Sequence, residues 1–271
     1  MYFEELKNRS LVRVAGEDAE HFLENLITCN VTGMEASDSR FGALLTPQGK
    51  ILFDFFLSKS DNGYLLDINA EHSQDFIKRL MFYRLRAKVE IEALENSTVF
   101  ACWDGPRPNS KTIIVDCRHP KMGYRQYFTS PDGQSGSSYA SLRIENGIPE
   151  GGTDFEYGDS YPHETLMDQF GGVDFKKGCF VGQEVISRMH HRGTAKKRIV
   201  KIKSDNDLPA TGATIMADEK PAGVVGSVAG SRGLGLLRLD RVAKSKELVA
   251  DSKQITVELQ DWVDFTWPEV N

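Results

Sequence analysis

Residues 175–192, FKKGCFVGQEVISRMHHR, carry the chemistry from which the rest of the chain is read. Cys179 lies between Gly178 and Gly182, with Lys176 and Lys177 before it and Gln183 and Glu184 after it. Val185, Ile186 and Met189 then recur at helical spacing, with Arg188 and Arg192 on other faces. This predicts a glycine turn feeding a helix that starts near Gly182. A cysteine near a helix N-terminus and beside two lysines is biased toward thiolate. Glu184 and Asp174 oppose that bias, and a free cysteine is commonly just a small buried hydrophobe. Local chemistry leaves both roles open.

Working outward, 271 residues are long for one core and predict two or three packed units. A hydrophobic fraction of 40% with 27% charged residues is ordinary for a water-soluble fold. The net charge of −6 argues against a broad nucleic-acid surface. MYFEELKNRS at the start has no apolar secretory core, and no run approaches the ~20 apolar residues that span a bilayer, so no membrane partner is expected. Cysteines 29, 102, 117 and 179 form no CxxC pair and fit neither zinc nor ferredoxin spacing. His190 and His191 are adjacent and cannot share a helix face, so no metal site is expected. Without a disulfide framework, the expected compartment is a reducing cytoplasm. Cys179 alone cannot hold an iron–sulfur cluster; the other ligands would come from a second subunit, a partner or a small thiol.

Residues 10–15 read as a strand and 16–29 as an amphipathic helix with acidic residues in its first turn. Residues 41–45 and 51–57 predict a hairpin around Thr46-Pro47-Gln48-Gly49-Lys50. The second strand is almost wholly apolar, so both faces should be covered. Asp54 in its middle either takes local hydrogen bonds or an arginine, or faces a ligand cleft. A strand at 64–68 precedes a helix over 71–85, whose expected inner face is Phe76, Ile77, Leu80, Met81 and Leu85. It ends in the basic-aromatic run 83–88. Strands at 98–103, 112–116 and 124–129 and a helix at 138–145, stopped by Gly147, repeat the strand-and-helix scale of the first half and suggest a second α+β unit. Residues 157–174 read as a surface loop in which Glu164 and Asp168 provide order. Five short β runs after residue 198 predict a small antiparallel barrel or sandwich.

The octet 177–184, KGCFVGQE, resembles the signature of the YgfZ-type folate-binding proteins, which form a family with the T-protein (aminomethyltransferase) of the glycine cleavage system. Arg143–Pro149, RIENGIP, is similar to a second stretch of that family, and Tyr83–Arg86 to a third. The resemblance implies an α+β, T-protein-like three-domain arrangement around a central channel. Residues 1–95 and 96–194 would be the two α+β domains, the second ferredoxin-like and carrying the octet, and 195–271 the C-terminal antiparallel β-barrel. It implies tetrahydrofolate as ligand, contacted by Asp54, Tyr83, Arg86, Arg143, Lys177, Gln183 and Glu184, with Cys179 as the reactive thiol. It further implies a supporting role in iron–sulfur cluster assembly or repair, including for tRNA-thiolating enzymes, with cluster proteins or assembly factors as partners. Two departures stand out. Phe53-Asp54 occupies the place of the T-protein's Asp-Asp pair, and 119–128 lacks its Gly-Glu-Asp-Gly run. The alternatives are a folate-dependent aminomethyl- or methyltransferase, and a folate-independent scaffold in which Cys179 only packs.

Overall fold

The computed structural model describes residues 1–36, 38–135, 138–193 and 195–268. Thr194, the boundary expected between the second and third domains, lies outside the described residues. The chain divides into two compact units, Met1–Tyr139 with Phe170–Gln183 and Ala140–Gln169 with Glu184–Asn271.

The first unit contains two five-stranded sheets. One is wholly antiparallel, in the order Ser39–Leu45, Ile51–Ser60, Gly63–Asn69, Arg9–Ala15, Glu90–Ala93. The expected hairpin turns at Thr46, whose amide donates to the Lys50 carbonyl at 2.8 Å, with Gly49 at φ +82°. Alternation along Ile51–Ser60 explains its apolar run. Phe53, Phe55 and Leu57 enter the core beneath the helices Ala19–Glu24 and Ser73–Arg84, while Asp54 and Phe56 point to the other face. The first helix is shorter than its apolar stripe predicts, because the chain turns at Asn25 to bring Ile27 into a bridge with Leu44. The helix expected over 71–85 is present, but Met81 and Leu85 are exposed rather than inward.

The second sheet runs Gln134–Ser135, Tyr2–Glu5, Val99–Trp103, Tyr124–Tyr127, Ile113–Val115. Its Tyr2–Glu5 strand, which has no clear sequence signal, pairs with Val99–Trp103.

A buried charge cluster joins the two sheets. Arg9 Nε donates to Asp67 Oδ1 at 2.7 Å, and Arg125 Nη1 donates to Asp67 Oδ2 at 2.8 Å. Arg118 grips Asp116 through Nε at 2.9 Å and Nη2 at 2.7 Å; Arg118 and Arg125 both donate to the Tyr139 hydroxyl. The guanidinium carbons of Arg125 and Arg118 lie 4.0 Å and 4.8 Å from the centre of the Phe56 ring. Asp54 is buried on this side and adds to the field that keeps Arg9 charged.

The second unit holds a seven-stranded antiparallel sheet, from Lys253–Gln254 through Leu248–Ala250, Thr214–Ala217, Lys220–Ala229, Arg232–Arg238 and Lys197–Lys203 to Thr256–Glu258. All five expected β runs are present. Register shifts at Ile215/Met216 and Val225/Val228 bend the sheet around a core of Val200, Ile202, Ile215, Val225 and Leu237.

Burial pushes the Asp116 carboxyl up, but Arg118 and Arg125 outweigh it and hold it below the usual carboxylate range. The stability it supplies is therefore complete above its unfolded pKa of about 3.9 and is lost as pH falls through the depressed folded value. Asp116→Asn strands two buried guanidinium groups. It should cost about 3–5 kcal/mol in urea unfolding at neutral pH and should flatten the acid limb of the stability curve below pH ~4. A neutral substitution would show that the cluster contributes nothing.

Candidate functional site

Cys179 sits on a loop that belongs to the first unit and is fastened at several points. The Thr28 hydroxyl donates to the Gly172 carbonyl at 2.6 Å, and the Asp174 amide donates to the Thr28 carbonyl at 2.9 Å. Asp174 Oδ1 then accepts from the amides of Lys176 and Lys177, turning the chain. Phe170, where the loop begins, packs its ring edge-on against Phe41. At the far end Gly182 has φ +81°, and a Cβ there would lie 2.6 Å from the Thr46 carbonyl oxygen. Only glycine lets the loop cross the hairpin turn this closely.

Lys177 is the main anchor. Its ammonium is buried and donates to the carbonyls of Ile27 at 2.9 Å and Cys29 at 2.7 Å, with Glu24 at 3.3 Å. Burial pulls its pKa down, against the opposing pull of Glu24. The charge expected to activate Cys179 is therefore directed into the protein. Gln183 Nε2 reaches back to the Gly178 carbonyl at 3.4 Å, and the helix Gln183–Arg192 starts where the glycine turn predicts. Within this frame Cys179 is exposed.

The other three thiols differ. Burial pushes Cys29 up to about 12 and Cys102 and Cys117 up to about 11, so they remain protonated at neutral pH. As thiols they are poor nucleophiles and metal ligands.

The remaining predicted residues are dispersed. Asp54 is buried in the first unit, facing the charge cluster side of its strand. Tyr83 is partly buried against the first core, and Arg86 is exposed with no ion pair among the described residues. Arg143 and Glu184 belong to the second unit. Arg143 is buried and donates to the Ile148 carbonyl at 2.8 Å, Asp154 at 3.3 Å and the Ser227 hydroxyl at 3.2 Å, with Glu150 at 2.9 Å. It ties the turn after its helix to the bent strand Lys220–Ala229. Glu184 is exposed and pairs with Arg188 one helical turn on. Glu164 and Asp168 do order their loop: Glu164 accepts from the Tyr161 amide at 2.9 Å and Asp168 binds Arg198 at 2.7 Å. Arg198 is buried by that pair and by Phe265.

The sequence gives no spacing signal for the Glu24–Thr28–Lys177 anchor, whose parts lie about 150 residues apart. The charge cluster had one usable signal. Asp67 and Arg125 interrupt apolar strands as Asp54 does, and a charge in such a place requires partners.

The family described as CAF17, C-terminal beta-barrel domain, matches residues 196–265. The chain is 32% identical to "Iron-sulfur cluster assembly factor IBA57 homolog, mitochondrial" of Pyricularia oryzae over 73% of its own length, and spans 56% of that relative. It is 30% identical to "Iron-sulfur cluster assembly factor IBA57, mitochondrial" of Mus musculus, covering 97% of this chain and 84% of the mouse protein. Among solved structures, glycine cleavage system aminomethyltransferase T from Bartonella henselae superposes with a TM-score of 0.79 over 99% of this chain and 88% of its own, at 17% identity. That likeness establishes the aminomethyltransferase-type α+β fold with its C-terminal β-barrel. The relatives' names overturn the expected cytoplasmic address and point to mitochondria. The names are also those of IBA57 rather than of the YgfZ type. With 30% identity across 84% of the mouse protein, this chain belongs to the IBA57 family.

Proposed function

We propose that the protein is an iron–sulfur cluster assembly factor in which Cys179 supplies a thiolate to a cluster in transit. The observation that carries this reading is the contrast among its thiols. Cys179 alone is exposed, while burial keeps Cys29, Cys102 and Cys117 protonated. The relatives' names support the same class of work. One thiolate leaves a cluster undercoordinated, so the remaining ligands come from a partner assembly factor or a small thiol. Enzymes that thiolate tRNA are among the cluster users served.

Tetrahydrofolate is the proposed ligand of the first unit. Its pterin needs a hydrogen-bond acceptor and a flat apolar contact, and its tail needs a cation. Asp54, Tyr83 and Arg86 supply these three chemistries within one unit, with Asp54 on the face of its sheet opposite the helix that carries Tyr83, so the match to the ligand is one of donor types. Lys177 and Gln183 act indirectly by shaping the Cys179 loop, and Arg143 and Glu184 by ordering the second unit. Bound folate would supply a one-carbon carrier. With the single carboxylate of Phe53-Asp54, aminomethyl transfer is the weaker reading.

Cys179→Ser, in cells lacking the native protein, should abolish rescue of cluster-dependent enzyme activity while tetrahydrofolate affinity stays within about twofold, since the thiol makes no charged hydrogen bond to the ligand in this reading. Full rescue would refute the thiol's role and favour a transferase or a scaffold.

Tetrahydrofolate should also raise the melting temperature of the pure protein. Asp54→Asn should weaken its binding about tenfold or more, the value of one hydrogen bond to a charged group. No shift with millimolar ligand would remove folate from the proposal without touching the Cys179 reading.

A further inference from the structure

The last turn of the helix Ser73–Arg84 presents a second apolar stripe to solvent. Phe76 and Leu80 fill the core, yet Met81, Phe82 and Leu85 are 43%, 71% and 88% exposed. Positions 78, 81, 82 and 85 fall on one helical face, across the helix from the buried one. Exposure rises toward the helix end, so these side chains project progressively from the surface.

The backbone contributes to that projection. Leu85 follows the helix with φ +44° and ψ −105°, a place normally given to glycine. The turn is held by the Ala87 amide on the Arg84 carbonyl at 2.7 Å and by the Val89 amide on the Ala87 carbonyl at 3.0 Å. A leucine kept in an unfavourable conformation with its side chain in water calls for a reason outside the fold.

Charge supplies the second observation. Residues 76–89 contain Lys78, Arg79, Arg84, Arg86 and Lys88 and no acid, in a chain of net charge −6. Neighbouring groups engage some of them: Asp75 pairs with Lys78, Glu17 with Lys88, and Arg84 reaches the Val89 carbonyl. Arg79 and Arg86 flank the apolar turn with no ion pair among the described residues.

We propose that this helix end is a docking point for an anionic lipid surface. A standard protein interface uses about 20–30 residues a side, whereas this patch is three apolar side chains on a projecting turn. A headgroup layer requires no matching shape. Phe82 and Leu85 enter the acyl boundary, while the arginine stems lie along it and their guanidinium groups meet lipid phosphates. The overall negative charge orients the protein with this end toward the membrane. The expectation of no membrane partner rested on the lack of a spanning segment. No described helix is long and apolar enough to cross a bilayer, and interfacial docking needs none. The proposal does not rest on the Cys179 reading; it shares Arg86 with the folate reading, and the vesicle experiment is run without folate.

The test is co-sedimentation of the purified protein with phosphatidylcholine vesicles, with and without phosphatidylglycerol, at low and high salt. The bound fraction should rise with phosphatidylglycerol and fall with salt. Phe82→Ser with Leu85→Ser should weaken vesicle affinity at least about tenfold, given the apolar burial removed, without lowering the melting temperature. Leu85→Gly should also weaken binding and leave the melting temperature unchanged or raised, because glycine adopts that backbone freely. Wild-type protein that ignores phosphatidylglycerol vesicles at low salt would overturn the proposal, as would a double variant that binds them like wild type. Self-association abolished by the double variant, with no vesicle binding, would assign the patch to a second copy and also overturn it.

Discussion

Three arginines and three aspartates closed between two sheets leave little freedom in how those sheets meet. Removing each charge from water costs several kcal/mol, and only well-placed partners offset that cost. Asp67 must therefore receive both Arg9 and Arg125, and Asp116 must receive Arg118, with the Tyr139 hydroxyl and Phe56 ring filling the remaining space. A one-residue slip of Ile51–Ser60 would exchange Phe56 for a neighbour and break the set. The cluster thus fixes which face of that strand carries Asp54. Through Phe41, which lies beneath Arg118 and against Phe170, it also locates the start of the Cys179 loop.

An exposed thiol gains no fixed position from its own packing, so the position must come from its neighbours. Here a buried lysine two residues before it ends on two backbone carbonyls, an aspartate turns the chain five residues before it, and a glycine presses against a hairpin three residues after it. The two sides of the motif have separate duties. Lys177 and Gly182 hold the loop, and Cys179 is left free to react. This division explains why the motif needs Lys177 and Gly182 even though the lysine's charge is directed away from the sulfur.

Much of this was legible in the residues. The hairpin around Thr46–Lys50 with its apolar second strand, the glycine turn before Gln183–Arg192 and the β runs after residue 198 follow from spacing and turn chemistry alone. The role of Lys177 was not, because its position beside the cysteine in sequence suggested proximity to the sulfur, while the fold turns its side chain the other way. Arg143 shows the same limit. Sequence offers a cation on a helix, and only the fold supplies Asp154, Glu150 and Ser227 as its partners. The outward apolar turn was hidden because Met81 and Leu85 follow the half-buried Ile77 at four-residue intervals, a row that borders the buried face. The address was misread because cysteine usage reports redox conditions rather than an organelle.

The most direct test of this picture is to count which thiols react in the folded protein. Brief treatment with a maleimide, followed by peptide mass spectrometry, should find modification at Cys179, with Cys29, Cys102 and Cys117 modified only after denaturation. Protection of Cys179, or equal labelling of the other three thiols in the native state, would contradict it.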